Sequence, residues 1–189
     1  MKILGIDPGS RLIGHALIEM KGGRIEYIQS KTQSFSQIDD FPTRIRAIYV
    51  HTKNLITEWR PDHVSIEGLI YVKSPTALIK LAQARGAILA ALPEMYTERI
   101  FEYSPNLVKL TTSGHGHATK ENVQLILGRM LGQREFATMD ESDALAIAVC
   151  HALHLGPMGQ LMVQKSGRGK SGKNNLAASV QHMIKEKNL

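Results

Sequence analysis

The stretch "ILGIDPGSRLIGHAL", residues 3–17, joins two apolar runs through an acid and a turn. Ile3 to Ile6 are apolar almost without interruption, as in a strand buried on both faces. Such a strand has no place for a charge in its middle. Asp7 stands at its end, before Pro8-Gly9-Ser10, so it is either a turn residue or a ligand. Leu12 to Met20 form the second run, and Lys21-Gly22-Gly23 a turn. Arg24 to Gln29 then alternates like a half-exposed strand. The chain opens as a meander of three antiparallel strands.

Helical patterns alternate with short strands after that. "DFPTRIRAIYVHTKNLITEWRPD" has apolar residues at helical spacing from Ile45 to Trp59, Asp40 before its start and Pro42 in its first turn. Pro61 ends it. "HVSIE" is a short buried strand that again closes on an acid, Glu67. "SPTALIKLAQARGAILAALPEM" begins with Ser74 as N-cap and Pro75 in the first position. From Ala87 to Leu92 this helix is apolar nearly all round. It is either a plain core helix or one covered on its far side by a partner subunit. Arg99 to Tyr103 is a fifth strand, and Ser104-Pro105 starts a short helix to about Leu110. "TTSGHGHATK" reads as a loop, followed by a helix over Lys120 to Leu131. The last helix starts at Thr138, with Glu141 three residues on as a capping box, and runs to about Leu153.

This order predicts an α/β fold, a mixed five-stranded sheet flanked by helices. Its first strand and the strands that follow helices run parallel. Their C-terminal ends share one edge, where open α/β sheets bind ligands.

Among 189 residues, no 18-residue apolar stretch predicts a membrane span. The lone Cys150 excludes an intrachain disulfide and suits a reducing, cytoplasmic setting. The N-terminus enters a strand pattern directly, without the layout of a signal peptide. The net charge of +6 is uneven. Residues 156–189 hold six bases and one acid, which leaves only +1 on residues 1–155. We therefore expect a folded domain over 1–155 and a basic, flexible tail over 156–189, with a short helix near its end. Local placement of bases, rather than overall charge, must carry any nucleic-acid contact. The span from Lys73 to Arg134 holds eight bases and four acids.

Asp7 and Glu67 end two strands, and if these strands are parallel neighbours their carboxylates lie on the same rim. Asp140 and Asp143 lie at i and i+3 on one face of an otherwise apolar helix. Taken singly, Asp7 could serve a turn, Glu67 a cap and Asp140 the helix dipole. None of these roles explains four acids on one rim. Carboxylates so gathered repel, and a hard divalent cation removes the conflict. Two such ions clamp the attacking and leaving oxygens of a phosphodiester, so the expected chemistry is metal-assisted phosphodiester hydrolysis at Asp7, Glu67, Asp140 and Asp143.

The residues that carry this reading also carry a family likeness. "GIDPGSRLIG", "SIEGLI", "ALIKLAQARGA", "FEYSPNLVK", "GHATK" and "DESDALAIA", in this order over about residues 3–155, resemble the RuvC family of bacterial Holliday-junction endonucleases. The resemblance implies a ribonuclease-H-like fold and paired symmetrical nicks in four-way junction DNA, in recombination and repair. It implies Mg²⁺ or Mn²⁺, two ions per site, on the same four acids. It also implies a homodimer joined largely through the Pro75–Leu92 helix, and work beside the RuvA-RuvB branch-migration complex. The family's phosphate-facing lysines fall on Lys109 and Lys120. We add Tyr71, Lys73, Arg85, His115 and His117 to the expected DNA contacts.

The chain departs from the family in places. Ile70 stands where the family often has an aromatic, so any base stacking passes to Tyr71. His115 and His117 enrich the glycine loop in histidine; they are metal ligands, phosphate contacts or plain loop residues. "GRGKS" lacks the leading glycine and strand of a P-loop. Cys150 reads as core, and His151 and His154 as polar residues at a helix end. Two other classes stay open from sequence. An actin-like ATPase shares the strand turn, but the chain lacks the duplicated half. A non-catalytic junction-binding module would not need all four acids.

Overall fold

The computed structural model describes residues 1–69, 74–116, 118–132 and 135–156. The expectations for Ile70, Tyr71, Lys73, His117, Arg134 and the tail from residue 157, with its terminal helix, lie outside the described residues.

Five strands form one sheet: β1 (Lys2–Asp7), β2 (Leu12–Lys21), β3 (Arg24–Ser34), β4 (His63–Glu67) and β5 (Ile100–Tyr103). Their order is β3-β2-β1-β4-β5. β1 pairs antiparallel with β2 and β2 with β3, whereas β1–β4 and β4–β5 are parallel. The expected mixed sheet is present. Helices α1 (Phe41–Trp59) and α2 (Pro75–Ala90) cover one face; α3 (Pro105–Ser113), α4 (Lys120–Leu131) and α5 (Met139–Leu155) cover the other. Among the described residues, no helix is long and apolar enough to cross a membrane.

Local chemistry sets the helix ends. Asp40, Ser74, Ser104, Thr119 and Thr138 each accept a hydrogen bond from a backbone N–H of the first helical turn. The Asp40 carboxylate takes the Thr43 N–H at 2.9 Å. α1 closes on Arg60 in the left-handed conformation, just before Pro61.

The structure extends two elements beyond the sequence expectation. β3 continues from Gln29 to Ser34, although Ser30 to Ser34 are polar. They are held by pairing with Leu12 to Ala16, and Thr32 shares a 2.5 Å hydrogen bond with Thr138 of α5. α3 runs three residues past Leu110 because Thr111 and Thr112 are buried rather than solvated. A single 3₁₀ turn at Glu94–Tyr96 had no sequence signal.

The sheet alternates as pleating requires. Leu4, Ile6, Val64 and Ile66 pack toward α1 and α2. Ile3 and Gly5 face α5, as do His63 and Ser65 on β4. By the same parity Asp7 and Glu67 emerge on the α5 face. α5 itself is buried from Ala144 to Leu153.

Candidate active site

Two glycines let α5 lie directly on the sheet. A Cβ on Gly5 would stand 2.1 Å from the Ala144 carbonyl oxygen, and one on Gly14 would stand 2.0 Å from that of Asp140. No side chain fits at either point. Gly14 is the register partner of Asp7. The first turn of α5, with Asp140 and Asp143, is thereby pressed against the end of β1. On the other side, the parallel register Ile6–Ile66 leads one residue further to Asp7 and Glu67.

The consequence is electrostatic. Burial pushes the Asp7 carboxyl up to about 8, and the charges of Glu67, Asp143 and Asp140, in that order, push the same way, while Lys120 opposes them. Burial also raises Glu67, with Asp143 adding to it, while Lys120 and Lys109 pull it back. Acids from three distant stretches of chain therefore share one electrostatic neighbourhood. Lys120, the first residue of α4, donates to Asp143 Oδ2 at 2.5 Å, and this bond is the main reason its own pKa rises.

The donor set is carboxylate oxygen only, the chemistry of Mg²⁺ or Mn²⁺ rather than of a thiolate- or imidazole-seeking metal. Among the described residues, no three Asp, Glu, His or Cys side chains already stand in a metal-holding arrangement. Lys120 holds Asp143 in an ion pair. A divalent cation would lower the free energy of ionising Asp7, so the residues present fit such a group.

Not every expected site residue joins this rim. Arg85, expected on DNA, forms an ion pair with Glu102 of β5 and is mostly buried. Lys109 does reach the rim, since its charge acts on Glu67. His115 is exposed in the loop that follows α3. Glu141 takes half of its capping box: its N–H donates to Thr138 Oγ1, but its carboxylate accepts from Ser30 of β3 at 3.3 Å. Cys150 is buried, and burial pushes its thiol up to about 12, consistent with a core residue.

His151 corrects the sequence reading of a polar helix-end residue. It is buried, stacked 4.1 Å from Phe101, and bonded on both ring nitrogens. Tyr103 Oη lies 2.7 Å from its Nδ1, and His63 Nδ1 lies 2.9 Å from its Nε2. Burial, aided by His63 and His154, lowers it to about 3, so it stays neutral. Sequence reasoning missed this bridge, and it also missed Gly5 and Gly14. The signal for the glycines was present: an isolated glycine inside a strand marks a close backbone approach. Nothing in the sequence marked the histidine.

Sheet order and helix placement define a ribonuclease-H-like fold. The comparisons narrow this class. Residues 3–151 match the family model described as crossover junction endodeoxyribonuclease RuvC. A RuvC of Trichlorobacter lovleyi is 40% identical over 151 residues, 80% of this chain and 84% of that one. One of Geotalea uraniireducens is 38% identical over 180 residues, 93% of this chain and 99% of that one. Among solved structures, T. thermophilus RuvC in complex with Holliday junction substrate aligns with a TM-score of 0.74 at 30% identity, covering 82% of this chain and 94% of that one. The yeast mitochondrial Holliday junction resolvase Ydc2 aligns at 0.61 with 14% identity, covering 98% and 82%, a likeness of fold alone. The chain belongs to the RuvC family of crossover junction endodeoxyribonucleases, which are metal-dependent nucleases.

Proposed function

We propose that this chain resolves four-way DNA junctions, and that Asp7, Glu67, Asp140 and Asp143 hold the divalent cations for the cut. The observation that carries the site assignment is the packing that brings the end of β1, the end of β4 and the first turn of α5 together, with Gly14, the register partner of Asp7, against the Asp140 backbone. A carboxyl pushed up to about 8 by burial and three neighbouring acids is costly to ionise unless a cation joins it. Two Mg²⁺ ions, replaceable by Mn²⁺, are the proposed complement. When bound they supply Lewis-acid stabilisation of the transition state and ready ionisation of water at neutral pH.

The chain's own residues do the rest. Asp7 and Glu67 sit on rigid strands, so their carboxylates enter the site with little freedom left to lose. Asp140 and Asp143 are fixed by the contact of α5 with Gly14. Lys120 neutralises Asp143 until the substrate backbone arrives, and then offers its ammonium to a phosphate. Lys109 serves the neighbouring phosphate. His115, and with it His117, Tyr71 and Lys73, completes the proposed DNA face. Arg85 contributes only by leaving Glu102. The products are a 5′-phosphate and a 3′-hydroxyl.

Paired cuts need two sites, and a homodimer through α2 supplies them. This helix buries only Ala84 and Ile88 fully. Ile79 is 58% exposed, Met95 just beyond the helix is 64% exposed, and Gly86 has open space around it. Such a surface suits close helix contact with a second copy. We further propose a division at Leu155 between nuclease domain and basic tail, a cytoplasmic location on the chromosome's side of the membrane, and docking to RuvA-RuvB.

The test is a synthetic four-way junction incubated with Mg²⁺. Symmetrically nicked duplexes are expected from the wild type. Intact junction at enzyme excess would overturn the assignment. Hydrolysis of ATP by the purified chain would favour the actin-like alternative instead.

A further inference from the structure

Glu67 is the last residue of β4, and the chain continues from it as Gly68. Glycine has the freest backbone of any residue, so this is a loose place to seat a ligand carboxylate. One backbone bond carries the ladder past it. The Gly68 N–H donates to the Tyr103 carbonyl at 2.9 Å, and Tyr103 is both the end of β5 and the register partner of Glu67.

The other face of the sheet secures this step. Pleating turns Tyr103 toward α5 and Glu102 toward α2. Glu102 Oε2 pairs with Arg85 Nη2 of α2. Its other oxygen lies over Gly68: a Cβ there would stand 2.7 Å from Oε1 and 3.2 Å from Cγ. The Glu102 side chain thus fills the place where a side chain of residue 68 would be. It is 55% exposed and, left alone, free to swing into solvent. Arg85 holds it back. The Arg85 side chain is only 15% exposed, and its Nε is buried without a hydrogen-bond partner among the described residues. A cation so enclosed is costly to leave without its carboxylate, which keeps the pair closed.

We propose that Arg85 and Glu102 are positioning residues for Glu67: a latch from α2 across Gly68 that keeps the Glu67 carboxylate in place for the cation. The proposal rests on the nuclease reading above, and its failure is separable from failure of that reading. A carboxylate ligand must be held to within about half an ångström, and groups that orient a ligand from behind are worth about 10–100-fold in metal affinity or activity. The latch therefore acts on cation affinity and on the cut, and leaves junction binding alone.

Two variants of the full chain test it. Glu102→Gln keeps the shape and removes the charge. Arg85→Met with Glu102→Gln removes both charges and strands neither, which covers the case that the single variant folds poorly by circular dichroism. The first readout is amide hydrogen exchange. Gly68 is expected to exchange about ten-fold faster in either variant, while Val64, whose N–H donates to the Arg99 carbonyl in the same sheet, keeps its wild-type rate. The second is Mn²⁺ binding without DNA, followed by electron paramagnetic resonance, with half-saturation raised about ten-fold. The third is junction cutting, about ten-fold slower at limiting Mg²⁺ and restored toward wild type at saturating Mg²⁺, with gel-shift binding unchanged. An unchanged Mn²⁺ half-saturation in both variants would overturn the proposal. So would exchange that rises equally at Gly68 and Val64, since the pair would then only stabilise the sheet. A wild type that neither binds Mn²⁺ nor nicks would overturn the nuclease reading instead, and Gly68 exchange would still decide whether the latch exists.

Discussion

α5 carries a buried polar cluster near each end, and the two are solved in opposite ways. At its C-terminal end His151 has both nitrogens bonded, to Tyr103 and His63, and is kept neutral. Every polar atom of the ring is answered by the protein itself. At its N-terminal end four acids share a neighbourhood, with only Lys109 and Lys120 among the described residues acting against them, and Asp7 is driven up to about 8. There the protein leaves the conflict standing. A structural cluster is complete alone, whereas a functional one is completed by what it binds. The same helix supports both because its middle, Ala144 to Cys150, is apolar and locked onto β1 and β2.

The widest separation between the two ends should appear in activity. Asp7→Asn is expected to lower junction cutting by at least about 1,000-fold, since it removes a carboxylate from the proposed cation site. Binding of the junction should survive, measured by gel shift. Cutting at the wild-type rate would place the chemistry elsewhere. Next comes the contact that sets both ends in place. Gly14→Ala drives a Cβ to 2.0 Å from the Asp140 carbonyl oxygen and is expected to cost about 3 kcal/mol in urea unfolding. It should also impair cutting more than its stability loss explains, because Asp140 must move. A variant as stable as wild type would show that α5 is not pressed on the sheet there.

Much of this was legible in the chain. The mixed sheet followed from the alternation of β and α patterns, and Asp7 and Glu67 announced themselves as acids ending apolar strands. The caps at Asp40, Ser74, Ser104 and Thr138 were readable because they act on residues three positions away. What stayed hidden depends on distant partners. Ser30 to Ser34 look like loop but become strand by pairing with β2 and touching α5. His151 looks polar and exposed but is buried because β4 and β5 bring it two partners. Arg85 looks available to DNA but is claimed by Glu102, seventeen residues on. Local rules cannot see a partner supplied by topology.

The C-terminal cluster gives the third prediction. His151→Phe keeps the ring and its packing on Phe101 but strands the Tyr103 hydroxyl in the core. The expected cost is about 2 kcal/mol in urea unfolding. Junction cutting under native conditions should change far less than for Asp7→Asn. If the two variants lost cutting equally, the division between a structural and a functional end would fail.

The smallest effect is a matter of sign, and it tests both ends together. Asp7 holds its proton to about pH 8 in the folded chain, but near 3.8 it is already released in an unfolded one. Between these values the folded state binds more protons, so its stability falls as pH rises. His151 and His15 run the other way. Both are lowered from 6.5 to about 3, His151 by burial and then His63, His15 by burial and then His51. The unfolded chain therefore takes up their protons first, and their contribution is lost as pH falls below 6.5 toward 3. Above 6.5 these two histidines are neutral in both states and the rim acts against them no longer. In EDTA, the melting temperature should drop by about 3–6 °C from pH 6.5 to 8. Saturating Mg²⁺ should flatten that drop by favouring the ionised acids, and Asp7→Asn should remove most of it without any metal. A drop that persists in Asp7→Asn would mean that the rim's charge conflict is centred on another acid than Asp7.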